Sequence, residues 1–266
     1  MNDLIHLTPI DLLVATILVI AAGVVSLAMR LDIEKRLALS AVRTVVQLGL
    51  VGLILERVFA LRRPILVLAI LVVMIIFAGR EASNRSTRVY RGMRWDSLLA
   101  MGATCLVVGA VVTQVVIGVQ PWYDPQYVIP LLGMILGNSL NGVSLCLERL
   151  LEHLSARRHE VELRLVFGAT RSEALRDPIR TAVRTGMIPV TNIMAAAGIV
   201  ALPGMMTGQI LAGAPPMQAV TYQIVIMFTL AAANAMGSML IATAAARRLV
   251  APDGRLKVDL LRADRW

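Results

Sequence analysis

The sequence predicts an all-α polytopic membrane protein with about seven transmembrane helices and a cytoplasmic coupling-helix loop. Three observations predict it. Apolar runs of bilayer-spanning length recur along the chain, charge is concentrated in the connections between them, and from the third connection onward cationic connections alternate with cation-free ones. Of 266 residues, 58% are hydrophobic and only 16% charged, against about 25% charged in soluble domains, and mean hydropathy is +0.75. The apolar mass is Leu, Val, Ile, Ala and Met, with 4% aromatic residues. This composition suits helices that satisfy every backbone group within their own segment, as lipid demands.

Crossing a bilayer takes roughly 20 residues per helix. Seven runs qualify: Ile10–Met29, Leu37–Leu55, Pro64–Gly79, Ser97–Val119, Val128–Leu147, Thr185–Leu202 and Met217–Ala246. The third and sixth are short and the seventh is long. No soluble domain, low-complexity stretch or internal repeat interrupts them, so residues 1–266 read as one membrane domain. No separate leader pattern precedes the first run, and Met1 is expected to begin the mature chain.

The cations orient the bundle. The first, third and fifth connections and the C-terminal tail (247–266) hold 22 of the 26 Lys and Arg. By the positive-inside rule these segments are cytoplasmic, which puts the N-terminus outside and the C-terminus inside a cell (inner or plasma) membrane. The second connection dissents with Arg57, Arg62 and Arg63. Trp122, Tyr123 and Tyr127 then fall at the outer interface, where amphipathic rings are favoured. The net charge of +9 is explained by this topology, and the expected partner is the lipid bilayer and not a nucleic acid.

The connection at about 148–184 is the most informative polar piece. A helix is expected to end at Phe167-Gly168, glycine suiting a left-handed turn. A short second helix, capped by Thr170 or Ser172 with Thr170-Arg-Ser-Glu173 as a capping box, is expected to close before Pro178. Held between longer helices, it would form a rigid knob for a groove on a cytoplasmic partner; a solvated amphipathic connection is the competing reading. At the opposite membrane face, Leu202-Pro-Gly-Met-Met-Thr-Gly-Gln209 is broken but uncharged. It reads either as a packed turn or as a pore-lining gate, because irregular backbone at membrane depth is tolerated only in those settings.

The stretch GATRSEALRDPIR (168–180) resembles the coupling loop of ABC transporter permeases, although Glu162-Leu-Arg164 stands where that loop has Glu-Ala-Ala. Residues 129–150, 168–216 and 219–228 together resemble the FetB-like family of iron-export ABC permeases, with LPGMMTGQILAG the sharpest match. The plant relatives of that family are linked to aluminium tolerance. The resemblance implies a homodimeric permease subunit exporting metal ions, iron favoured, and driven by a separate ATPase that uses ATP and Mg. It assigns coupling to Glu162, Gly168, Ala169, Thr170, Arg171, Glu173 and Arg176. The only lysines, Lys35 and Lys257, belong to no phosphate loop. The chain is therefore expected to be no enzyme and to carry no cofactor of its own.

Polar residues inside spans are functional candidates, with interhelical hydrogen bonding the competing role. They are Asn138, Ser139 and Asn141 in the fifth run, Asn192 in the sixth, and Tyr222, Gln223 and Asn234 in the seventh. A translocation pathway is expected from Glu148, with Glu81 nearby, through Asn138, Asn141 and Asn192 to Met205, Met206 and Gln209 at the outer exit. A hard cation prefers carboxylate oxygen and thioethers prefer softer ions, so the metal-ligand set stays open. Gly133-x-x-x-Gly137 and Ala233-x-x-x-Gly237 permit close helix packing, which would place the fifth or seventh helix at a dimer seam. Cys105 and Cys146 read as reduced packing residues, and His153 and His159 as solvated loop residues. Two alternatives remain: a non-transporting membrane regulator, and a permease for an organic solute.

Overall fold

A computed structural model describes residues 8–250 and the backbone of the pair 262–263. Nine α-helices occur among the described residues: α1 (Pro9–Met29), α2 (Glu34–Leu61), α3 (Pro64–Asn84), α4 (Met93–Ala110), α5 (Pro125–Ala156), α6 (Arg158–Val166), α7 (Arg171–Ala196), α8 (Gly204–Leu211) and α9 (Pro216–Leu249). A π-helical turn, Val111–Val116, continues α4. The only sheet among these residues is an antiparallel pairing of β1 (Arg88–Val89) with β2 (Arg262–Ala263).

The chain packs as two compact units, one built on α1 and α2 and the other on α3 to α9. In the first, α1 and α2 form a hairpin. Thr8 and Asp11 cap α1 reciprocally, the Thr8 amide donating to Asp11 Oδ2 at 2.7 Å. Large apolar side chains line both helices on the outside, Leu18 being 73% and Leu39 70% exposed. Such surfaces belong in hydrocarbon and not in water.

In the second unit α5 is the central post, packed against α3, α4, α7 and α9. Its inward face, including Ile135, Val143, Leu147, Leu150 and Leu154, is fully or almost fully buried. Helices α5, α7 and α9 cross where side chains vanish. A Cβ on Gly186 would stand 2.6 Å from Ser238 Oγ, 2.7 Å from the Gly142 carbonyl oxygen and 2.9 Å from Cys146 Cβ. One on Gly142 would overlap Asn234 Oδ1 and stand 2.8 Å from the Gly186 carbonyl oxygen. Among the described residues, Asn234 Oδ1 and Ser238 Oγ accept no N–H or O–H donor. They face glycine Cα–H groups, weak donors common at close helix interfaces. Cys146 Sγ donates to the Ser238 carbonyl at 3.4 Å, and both cysteines are free and buried. Ala233 and Gly237 are likewise buried, Gly237 against Val143 and Thr104, so this small-residue motif seals the interior of the chain and is not available as a dimer seam.

Among the described residues, six helices are long and apolar enough to cross a membrane: α1, α2, α3, α4 with its π turn, α5 and α9. The sixth expected run is corrected in shape. No short helix closes before Pro178 and no apolar helix reaches Leu202. Instead α7 runs unbroken from Arg171 to Ala196 through Pro178 and Pro189. Each proline deletes one backbone hydrogen bond, a loss that a helix packed on two neighbours tolerates. Charge in its first half keeps α7 below the apolarity of the other spans, yet it traverses the bundle. Its start lies beside Arg247 at one end of α9, and the segment after it lies beside Gln218 and Tyr222 at the other. Backbone irregularity in 197–215 is confined to the turns, since Gly204–Leu211 forms the short helix α8.

Candidate transport chamber and docking knob

The knob is assembled from α6, a tight turn and the first turns of α7. Helix α6 is laced by Arg158 Nε to Glu162 Oε1 at 2.7 Å and Arg164 Nη2 to Glu160 Oε1 at 3.1 Å. Gly168 takes φ +90°, which lets the Ala169 amide reach the Arg164 carbonyl at 3.0 Å and ends α6 in a left-handed cap. The expected capping box is present: Thr170 Oγ1 accepts from the Glu173 amide at 3.3 Å, and the Thr170 amide donates to Glu173 Oε2 at 2.8 Å. Arg164 Nη1 then joins Asp177 Oδ2 at 2.8 Å, locking α6 onto α7.

Hydrogen bonding from Arg164, with its charge, holds the Asp177 carboxyl below the usual carboxylate range, and bonds from Thr170 do the same for Glu173. For such depressed groups the stabilisation is present above the unfolded pKa and is lost as pH falls through the folded one. The knob therefore keeps its full electrostatic support at neutral pH.

This rigid frame presents an apolar tip that sequence reading missed. Val166 is 81% and Phe167 84% exposed, with Leu163 exposed beside them. The signal was available, since the helix must stop at Gly168 and its last side chains then project from the turn. Of the residues assigned to coupling, Glu162 is tied to Arg158, and Gly168, Ala169, Thr170 and Glu173 build the turn. Arg176 is exposed, whereas Arg171 lines a cleft shared with α9.

A polar layer sits where α3 meets α4. Glu148 Oε2 accepts from Ser86 Oγ at 2.7 Å and from the Thr87 amide at 2.8 Å, and Thr87 Oγ1 binds its other oxygen. Arg85 Nη1 donates to Asn141 Oδ1 at 2.7 Å and Arg85 Nε reaches Glu81 at 3.4 Å. Glu148 and Asn141 thus tie residues 85–87 to α5. One step further, Arg248 Nε lies 2.6 Å from Asp96 Oδ2, which also accepts from the Tyr90 hydroxyl at 2.9 Å. Burial, with Asp96 beside it, raises the Tyr90 phenol and keeps it a donor. Asp96 is only 5% exposed. An Arg248→Ala variant is therefore expected to lose about 3 kcal/mol by stranding a buried carboxylate, which a lowered thermal midpoint of the purified protein would register.

At the opposite end lies a chamber of about 550 Å³ between the N-terminal turns of α5 and α9 and helix α8. Met205 and Gln209 meet Gln126, Tyr127 and Met134 from α5 and Gln218 and Tyr222 from α9, over a wall that includes Ile117, Pro130 and Leu131. Carboxamides, phenols and thioethers supply its polar contacts, and none of its lining side chains is a carboxylate or an ammonium. Met206, Asn138, Asn141, Asn192 and Glu148 do not line it; Asn138 donates to the Met134 carbonyl at 3.0 Å and Asn192 is exposed. Gln126 and Gln218 escaped sequence reading because each stands in the first turn of its helix without a motif to mark it, and Met134 because a methionine inside an apolar span reads as packing. Among the described residues, no three His, Cys, Asp or Glu side chains gather as a metal site.

Long lipid-compatible helices, with a chamber at one end of the bundle and a rigid knob at the other, define a multi-pass membrane protein. The profile described as Uncharacterised protein family (UPF0014) matches residues 9–250, and the chain belongs to that family of membrane proteins. It is 38% identical over 209 residues to the UPF0014 membrane protein slr1647 of Synechocystis, covering 79% of this chain and 81% of the relative. It is 32% identical over 227 residues to the UPF0014 membrane protein YjkA of Bacillus subtilis, covering 85% and 89%. It is also 32% identical over 227 residues, 85% of each chain, to the protein of Escherichia coli named "Probable iron export permease protein FetB". No solved structure matches the chain.

Proposed function

We propose that the chain is the membrane permease subunit of an ABC exporter, paired as a homodimer and driven by a separate ATPase subunit that binds ATP and Mg. The exposed Val166–Phe167 tip carries this reading: an apolar point on a charged, braced frame is built to enter a groove on another protein. Glu162, Gly168, Ala169, Thr170, Glu173 and Arg176 shape and rim that contact, and Arg171 anchors the start of α7.

Iron is the leading cargo, by kinship with the relative named for iron export. The chamber refines that choice. A hard ion such as iron(III) favours carboxylates, so a lining of amides, phenols and thioethers suits metal carried in complexed form; the same neutral lining supports an organic solute as the second reading. Export would carry the cargo from the side of Glu148, Asn138 and Asn141 toward Met205, Met206 and Gln209, with Asn192 on the α7 flank.

Inside-out vesicles containing permease and ATPase provide the test. ATP-dependent iron uptake is expected in wild type and to fall about tenfold in Gln209→Ala/Met205→Leu, as for about 1.4 kcal/mol of lost contact. Uptake without metal dependence would reassign the cargo to an organic solute, and no ATP-dependent uptake would refute the transporter reading. Orientation has its own test. Cysteines at Ser172 and Gly213 are expected to label from the cytoplasmic and outer sides, respectively; labelling from one side would overturn the topology.

A further inference from the structure

Beside the knob, the start of α7 and the last turns of α9 enclose a second cleft, of about 470 Å³. Leu175 and Ile179 form an apolar wall, and Arg171, Ser172, Thr243 and Arg247 add two cations and two hydroxyls. Arg171 Nη2 is shielded from solvent and has no hydrogen-bond acceptor among the described residues. Nearby arginines differ: Arg164 is paired with Asp177 and Arg248 with Asp96, while no carboxylate among the described residues lies within 4.0 Å of Arg171 or Arg247. The acid closest in sequence to Arg171, Glu173, is spent on capping Thr170. A shielded, unanswered guanidinium N–H is costly unless an anion completes it.

The cleft also lies at a defined depth. The apolar run of α9 ends at Ala246, so Arg247 marks the membrane boundary and Thr243 stands one turn inside it. An oxyanion bound there meets cations on the water side and an aliphatic wall on the lipid side. That combination matches a phospholipid better than a soluble anion or a protein carboxylate, neither of which needs the apolar wall. We propose that this cleft binds the headgroup phosphate of an anionic phospholipid, with Arg171 and Arg247 donating to its oxygens and Leu175 and Ile179 packing on the glycerol and upper acyl chain. The lipid would pin the start of α7 to the end of α9 and so brace the root of the knob.

The test uses the full chain, purified and reconstituted in nanodiscs of equal phosphatidylglycerol and phosphatidylcholine, with retained lipid counted by native mass spectrometry after extraction. Wild type is expected to retain phosphatidylglycerol preferentially, and Arg171→Gln/Arg247→Gln to retain about thirtyfold less. Arg180→Gln, an exposed arginine on the same helix, should retain it as wild type does. The thermal midpoint of each variant in pure phosphatidylcholine establishes that it is folded. Equal retention of the two lipids by wild type, undiminished retention by the double variant, or displacement by millimolar inorganic phosphate would overturn the proposal. So would loss of ATPase-subunit capture with lipid retention intact, which would reassign the cleft to a protein carboxylate.

Discussion

A Phe167→Asp variant is expected to insert and fold as wild type does, yet to lose stimulation of the proposed ATPase subunit by at least about tenfold. Phe167 is 84% exposed, so replacing it removes almost no packing from the chain itself. Its frame is independent of the ring: Gly168 makes the turn, Thr170 and Glu173 cap α7, and Arg164 with Asp177 joins the two helices. The loss would therefore fall on the contact and not on the fold. A buried aromatic anchor at an interface center contributes 2 kcal/mol or more in typical cases, and about 1.4 kcal/mol already amounts to tenfold. Phe167→Leu should retain much of the coupling, because the groove would still receive an apolar side chain. Co-purification and ATP hydrolysis of the reconstituted complex measure both. Full stimulation by the aspartate variant would remove the tip from the coupling surface.

Gly186→Leu is expected to abolish accumulation of folded protein. The site has no room, since even a methyl group would stand 2.6–2.9 Å from atoms of α5 and α9. Relief would require separating two of the three helices that meet there, and overpacking of that kind costs about 1–3 kcal/mol for a single added carbon group and more for a large side chain. Gly186→Ala gives the graded version, with a fall of about 2–4 °C in thermal midpoint for each kcal/mol in a chain of this size. Gly49→Ala on α2 is the control. Nothing lies within 4 Å of a Cβ at Gly49, and alanine is the better helix former, so the midpoint should hold or rise. A Gly186→Leu protein as stable as wild type would show that α5, α7 and α9 do not cross as closely as described.

Much of the architecture was legible because hydrocarbon imposes a simple rule. A span must be long, apolar and closed in its own hydrogen bonds, so α1, α2, α3, α4, α5 and α9 stand out from composition alone. The turn at Gly168 and the cap at Thr170 were legible as well, each depending on a few neighbouring residues. Helix α7 was harder. Pro178 and the charges around it imitate a break, but packing on α5 and α9 carries the helix through.

Site residues divide along the same line. The sequence alone determined an all-helical multi-pass membrane protein, its principal spans, and a capped polar connection between α5 and α7, because length, hydropathy and capping act over one turn or one helix. Only the tertiary structure decided that Met205 and Gln209 share a chamber with Gln126, Met134 and Gln218, that Glu148 and Asn141 hold residues 85–87 to α5, and that Ala233 and Gly237 face inward. A polar side chain on an apolar helix points in a direction set by which neighbours pack there, and that choice is made between helices far apart in the chain.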